Sequence, residues 1–177
     1  LRSFFADDQA APIKDISVFY FQTALYLFHK PAWMFSKTCE YAIRAMIFIA
    51  QKSRDGSKVG IKEIAKGIDS PEYFIAKILQ ELGRKGVVQS LKGPTGGFYL
   101  DNSARKTSLA TIVKAVDGDS IFLGCGLGLK QCSDKHPCPL HHEFVRIRKD
   151  ITNVLTKTRL GDLQEELDEH LTFLRRN

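Results

Sequence analysis

Three of the chain's four cysteines, Cys125, Cys132 and Cys138, fall in one short segment, and His141 follows the last of them by one helical turn. Six residues separate the first two cysteines and five the second two. These spacings are too long for a compact C-x-x-C knuckle. They suit a loop wrapped around a cofactor, and Gly124, Gly126 and Gly128 give its backbone the freedom to wrap. Thiolates are soft ligands that favour iron–sulfur clusters and zinc. A fourth ligand is needed. His141 is the local candidate, with His136 and His142 weaker ones. Zinc, or no cofactor at all, stays open. Without a cofactor the thiols sense oxidants by disulfide exchange or stand idle. The lone Cys39 reads as a small buried hydrophobe.

A second constellation is suited to nucleic acid. Phe74, Ile75, Ile78, Leu79 and Leu82 recur at helical spacing, which commits one face of the segment 71–85 to a core. The other side carries Tyr73, Lys77, Gln80, Glu81 and Arg84. Tyr73 and Lys77 lie near the N-terminal end, where a recognition helix meets base edges. Just beyond comes Lys92-Gly93-Pro94-Thr95-Gly96-Gly97, a glycine-rich tip that lets backbone approach a duplex. From such a tip Lys92, with Gly93 and Thr95 beside it, reaches phosphate or the minor groove.

The elements that must position these groups follow from periodicity and caps. Ser36 is an N-cap for a helix whose stripe is Tyr41, Ile43, Ala45, Met46, Ile49 and Ala50. Asp55-Gly56 marks a turn, Ile61–Lys66 a short helix, and Gly67-Ile68-Asp69 another turn. Ser70-Pro71-Glu72 opens the basic-faced helix, with Ser70 as N-cap and Pro71 at its first position. Val87–Leu91 and Phe98–Leu100 flank the glycine tip as a β-hairpin. Ser108–Val116 is a further short helix, closed by Asp117-Gly118. After the cysteine loop, Leu140, Phe144, Ile147, Ile151 and Val154 alternate four and three apart, the seam of a coiled-coil-like dimer helix. Leu163, Leu167, Leu171 and Leu174 stripe a last helix over 160–176. The fold class expected is mainly α: a winged helix-turn-helix with a β-hairpin wing and a long C-terminal dimerisation helix.

Composition bounds the function. The 177 residues, 44% of them hydrophobic, permit one core of ordinary size. The net charge of +6 favours a polyanionic partner. All of that excess lies from Met34 onward, because Arg2, Lys14 and Lys30 balance Asp7, Asp8 and Asp15. Four cysteines without a signal-like leader point to a reducing cytoplasm rather than a disulfide scaffold. No membrane span is expected: the best apolar run, 16–33, is broken by Gln22, His29, Lys30 and Pro31. Met34 reads as the natural start, which makes 1–33 an extension of open origin. The alternative is a genuine aromatic-rich segment packing on the domain. Residues 34–118 are the DNA-binding domain, 119–139 the cysteine loop, and 140–177 the dimerisation and C-terminal helices.

The order of these pieces resembles the Rrf-two family of bacterial transcription regulators. The resemblance is carried by E-Y-A-I-R-A-M at 40–46, I-A-K-I-L-Q-E-L at 75–82, L-K-G-P-T-G-G-F-Y-L at 91–100 and I-V-K-A-V-D-G at 112–118. The cysteine trio and R-L-G-D-L at 159–163 complete it. The family includes the iron–sulfur-cluster assembly regulator and the nitric-oxide-sensitive repressor. The resemblance implies a homodimer through residues 140–158, a palindromic double-stranded operator, and an iron–sulfur cluster on Cys125, Cys132 and Cys138. His141 would complete a 2Fe–2S site, the favoured arrangement. Glu40, from the partner's first helix, is the alternative fourth ligand and goes with 4Fe–4S. Two departures stand out. The first cysteine spacing is one residue longer than in the best-characterised cluster binders. Lys92 also stands where Arg is common, and it lacks the planar fork of Arg. No catalytic triad, phosphate-cradling loop or carboxylate pair argues for an enzyme. The rival readings are a winged-helix regulator with zinc-bound or cofactor-free cysteines, and a zinc-stabilised protein-interaction module.

Overall fold

The computed structural model describes residues 34–53, 55–101, 103–169 and 174. The expectations for 1–33 lie outside them. Helix α1 (Lys37–Lys52) starts where expected: the Ser36 hydroxyl accepts the Cys39 N–H at 3.1 Å. The Asp117 carboxylate in turn accepts the Ser36 N–H at 2.9 Å, tying the start of α1 to the end of a helix 81 positions away. Ala42, Ala45, Met46, Ile49 and Ala50 of α1 are fully buried, and the small residues among them let neighbouring helices approach closely.

Helices α2 (Ile61–Gly67) and α3 (Glu72–Arg84) form the helix-turn-helix. Helix α3 buries Ile75, Ile78, Leu79 and Leu82, as its periodicity predicts. Its start differs from expectation. Pro71, in extended conformation, is itself the N-cap. Ser70 is held in the preceding turn by its N–H bond to the Ala65 carbonyl, and its hydroxyl is buried without a partner.

Strands β1 (Gln89–Leu91) and β2 (Gly97–Tyr99) pair antiparallel, with Ser90 opposite Phe98. Val59, just before α2, adds a bridge to Phe98 through two backbone bonds of 2.8 and 2.9 Å. The wing is thereby fastened to the helix-turn-helix. Position 97 must be glycine for this, since a Cβ there would lie 2.7 Å from the Val59 carbonyl oxygen.

Helix α4 (Leu109–Asp117) is capped by Ser108 and closed by Gly118 at φ +74°. A one-turn helix, α5 (Ser120–Leu123), follows; four residues are too few to show a period in the sequence. Helix α6 (His141–Lys157) is the long helix. Helix α7 (Leu160–Asp168) covers the first part of the expected 160–176, of which 170–173 and 175–176 lie outside the described residues. Leu174 still packs on the core, while Leu171 lies outside the described residues.

Two clusters hold the fold. The larger joins α1, α2, α3, the wing and α7 through residues such as Met46, Ile64, Leu79, Phe98 and Leu160. The smaller joins Cys39 of α1, Val113 of α4, Phe122 of α5 and Leu155 of α6. Through it the long helix is anchored to the winged helix.

Candidate functional site

Helix α3 and the wing line one open cleft of about 890 Å³, and Lys77 is not among its lining residues. Tyr73, Ala76 and Gln80 enter it from α3, and Lys92 and Gly93 from the wing tip. Tyr73 is exposed, and the Lys77 ammonium lies 4.5 Å from the centre of its ring. Such a cation–π contact narrows where Lys77 points. Thr95 is exposed at the wing tip. Arg84 stands at the far end of α3, 3.3 Å from Glu81, outside the cleft lining. Lys62, at the start of α2, also lines the cleft. The sequence reading missed it, because nothing local in I-K-E-I-A-K places that lysine opposite the wing.

The cysteine loop sits on one stripe of α6. His141, Phe144 and Arg148, spaced i, i+3 and i+7, face it. His141 is only 3% exposed. Its Nδ1 is 3.5 Å from Cys132 Sγ, and its Nε2 is 2.7 Å from the Asp134 carboxylate. The Asp134 contact leaves Nδ1 facing the sulfur, the arrangement by which a carboxylate orients a ligating imidazole. Arg148 donates from Nη2 to Cys132 Sγ at 3.3 Å and from Nη1 to the Gly124 carbonyl. Phe144 lies under Gly126, where a Cβ would come within 2.4 Å of the ring.

Cys125 and Cys138 are both half-buried in the loop. The backbone N–H groups of Leu127 and Leu129 hold the Cys125 thiol below its ordinary pKa, with smaller help from the Cys138 thiol and the Arg148 charge. All four cysteines are free thiols. Cys39 behaves oppositely: burial, then the Asp117 carboxylate, pushes its thiol up to about 12. It belongs to the core, as expected. Of the four sequence-derived donors the structure brings Cys132 and His141 into contact. Among the described residues, no three His, Cys, Asp or Glu side chains converge as a site for a single metal ion. Within the chain Glu40 pairs with Lys37 on α1. His142 stacks edge-to-face on His141, and His136 is exposed. Asp134 and Arg148 are the residues the sequence reading missed. The i, i+7 relation of Arg148 to His141 was the available signal.

The expected dimer seam divides. Leu140, Ile147 and Val154, seven apart, are 46%, 48% and 61% exposed. Ile151 packs against the smaller core and Phe144 on the loop. Among the described residues no helix is long and apolar enough to cross a membrane.

Residues 35–166 match the family model described as Rrf2, iron-dependent transcriptional regulator. The chain is 34% identical over 140 residues to a provisionally named HTH-type transcriptional regulator of Aquifex aeolicus, covering 78% of this chain and 96% of that protein. It is 27% identical over 139 residues to the HTH-type transcriptional regulator NsrR of Oceanobacillus iheyensis, covering 78% and 94%. Among solved structures, CymR, the global cysteine regulator of B. subtilis, shares the fold with a TM-score of 0.60 at 22% identity, over 73% of this chain and 95% of that one. A winged helix with this cysteine loop, matched over three-quarters of its length by one family, is a DNA-binding transcriptional regulator and not an enzyme: the chain belongs to the Rrf2 family.

Proposed function

We propose that the protein is a homodimeric cytoplasmic repressor whose operator binding is tuned by an iron–sulfur cluster on Cys125, Cys132, Cys138 and His141. The observation that carries this reading is the seating of Cys132 against His141 of α6, with Asp134 orienting the imidazole, while among the described residues no three donors converge on a single ion. A 2Fe–2S cluster takes two protein ligands on each iron, whereas a zinc site gathers four on one ion. The donor set is soft, and its imidazole is oriented by Asp134, so the residues fit such a group. When bound, the cluster supplies redox and ligand-exchange chemistry at the thiolates.

The chain's own residues do the rest. His141 and Arg148 hold the loop against α6. Helix α6 is anchored by Leu155 to the core that also holds α1 and α4. Its opposite face presents Leu140, Ile147 and Val154 to a second copy. Ordering of the loop thus sets the angle at which two winged helices meet DNA. A two-fold dimer of this kind calls for a palindromic operator. Tyr73 and Lys77 reach the major groove, and Lys92, Gly93 and Thr95 the adjacent backbone or minor groove. Arg84 contributes at most a phosphate contact at the helix end. A preference of about 1.4 kcal/mol between loop states is a tenfold change in affinity.

The test is anaerobic purification with visible absorption, iron, sulfide and zinc counts, then operator binding by holo and apo protein. The expected result is a coloured protein with iron and sulfide, bleached by Cys132→Ala, whose two forms differ in affinity. A colourless protein that resists reconstitution would retire the cluster. One observation favours the cofactor-free reading: the backbone N–H groups of Leu127 and Leu129 hold the Cys125 thiol below its ordinary pKa, which equips it for thiol exchange.

A further inference from the structure

We propose that Arg148 is the positioning residue that transmits the state of the cysteine loop to the long helix. The inference rests on the reading of that loop as the sensing element. A guanidinium is planar, permanently charged, and carries five donors in a fixed fork. Arg148 spends two of its nitrogens on two separate points of the loop: the Gly124 carbonyl, immediately before Cys125, and Cys132 Sγ at 3.3 Å. One half-buried side chain therefore spans the loop from its entrance to its middle cysteine.

Cys132 is the natural point of control. Its sulfur lies between two side chains of α6 set two turns apart, the His141 imidazole at 3.5 Å and the Arg148 guanidinium. A thiolate, free or iron-bound, accepts a charge-assisted bond from Arg148. Any change that turns the sulfur or removes its charge leaves the guanidinium held by the Gly124 carbonyl alone. The neighbouring residue, Ile147, is on the exposed apolar face of the same helix. A change at one sulfur is in this way delivered one residue from the surface that meets a second copy. Lysine at 148 cannot do this, because a single ammonium on a flexible stem does not hold two acceptors in fixed relation.

The test compares full-length wild type with Arg148→Ala, Arg148→Lys and the control Arg146→Ala. Arg146 is exposed on α6 and pairs with Glu143. Hydrogen exchange is measured on reduced, metal-free protein over residues 124–133. Loss of two charge-assisted bonds should quicken exchange there about tenfold in Arg148→Ala, with partial recovery in Arg148→Lys. Residues 61–100 and the Arg146→Ala protein should match wild type. In protein reconstituted with iron and sulfide, Arg148→Ala should also lower the midpoint potential, since a hydrogen bond to sulfur stabilises the reduced cluster. Unchanged exchange over 124–133, or an unchanged potential in a loaded protein, overturns the proposal. If exchange quickens but neither protein takes up iron, the Arg148 clamp stands and the cluster reading fails. If both load iron and exchange is unchanged, the cluster reading stands and the clamp fails.

Discussion

Gly126→Ala tests whether the cysteine loop is seated on α6. A Cβ at 126 would lie 2.4, 2.5 and 2.6 Å from three atoms of the Phe144 ring, including the atom that joins ring to stem. Ordinary contact begins near 3.4 Å, so ring or loop must retreat by about 1 Å. The ring cannot escape by a tip movement, because its attachment point is one of the clashing atoms. Overpacking of this kind costs about 1–3 kcal/mol, which biases the seated loop roughly 5- to 150-fold toward release. The winged helix has no share in the contact, so its melting should be unaffected. The assay is exchange over 124–133 together with iron uptake in Gly126→Ala, Phe144→Ala and the double variant. Gly126→Ala should quicken exchange and lower iron retention. The double variant should lose less than the sum of the single effects, because truncating the ring makes room for the methyl group. Strict additivity, or a silent Gly126→Ala, would refute the seating of the loop on Phe144.

Three further outcomes are expected. Lys92→Ala should weaken binding to operator and random duplex alike, and lower the slope of log K against log salt by about 0.9, as measured by fluorescence anisotropy; a loss confined to one sequence would make Lys92 a base reader instead. Ile147→Glu with Val154→Glu should give a monomer in analytical ultracentrifugation with the winged-helix core still folded, whereas a persisting dimer would place the interface elsewhere. Cys39 holds its proton to about pH 12 when folded, against 9.0 for an ordinary thiol. Its contribution to stability is therefore intact below pH 9 and lost as pH rises from 9 toward 12. Melting temperature should fall less steeply across pH 9–11 in Cys39→Ala than in wild type.

Most of the frame was legible along the chain because its signals are local. Helix period, the Ser36 cap, Asp55-Gly56 and the glycine-rich hairpin tip each report on their own few residues, and all appear where expected. The misreadings arose where a signal was shared or too short. Ser70-Pro71 can open a helix in two ways, and the extended Pro71 made itself the cap. Four residues at 120–123 cannot display a period.

The sequence by itself determined which groups are available: three clustered thiols, an imidazole one turn on, a basic helix face and a basic wing. Their types and spacings are covalent facts. Only the tertiary structure decided how they are used. It paired Cys132 with His141, brought Lys62 to the same cleft as Lys92, and split the apolar seam of α6. It also set Asp134 and Arg148 against the site. These are relations between side chains from different turns or elements, set by the packing of α6 on the domain and by the bridge of Val59 to Phe98. No local propensity encodes them.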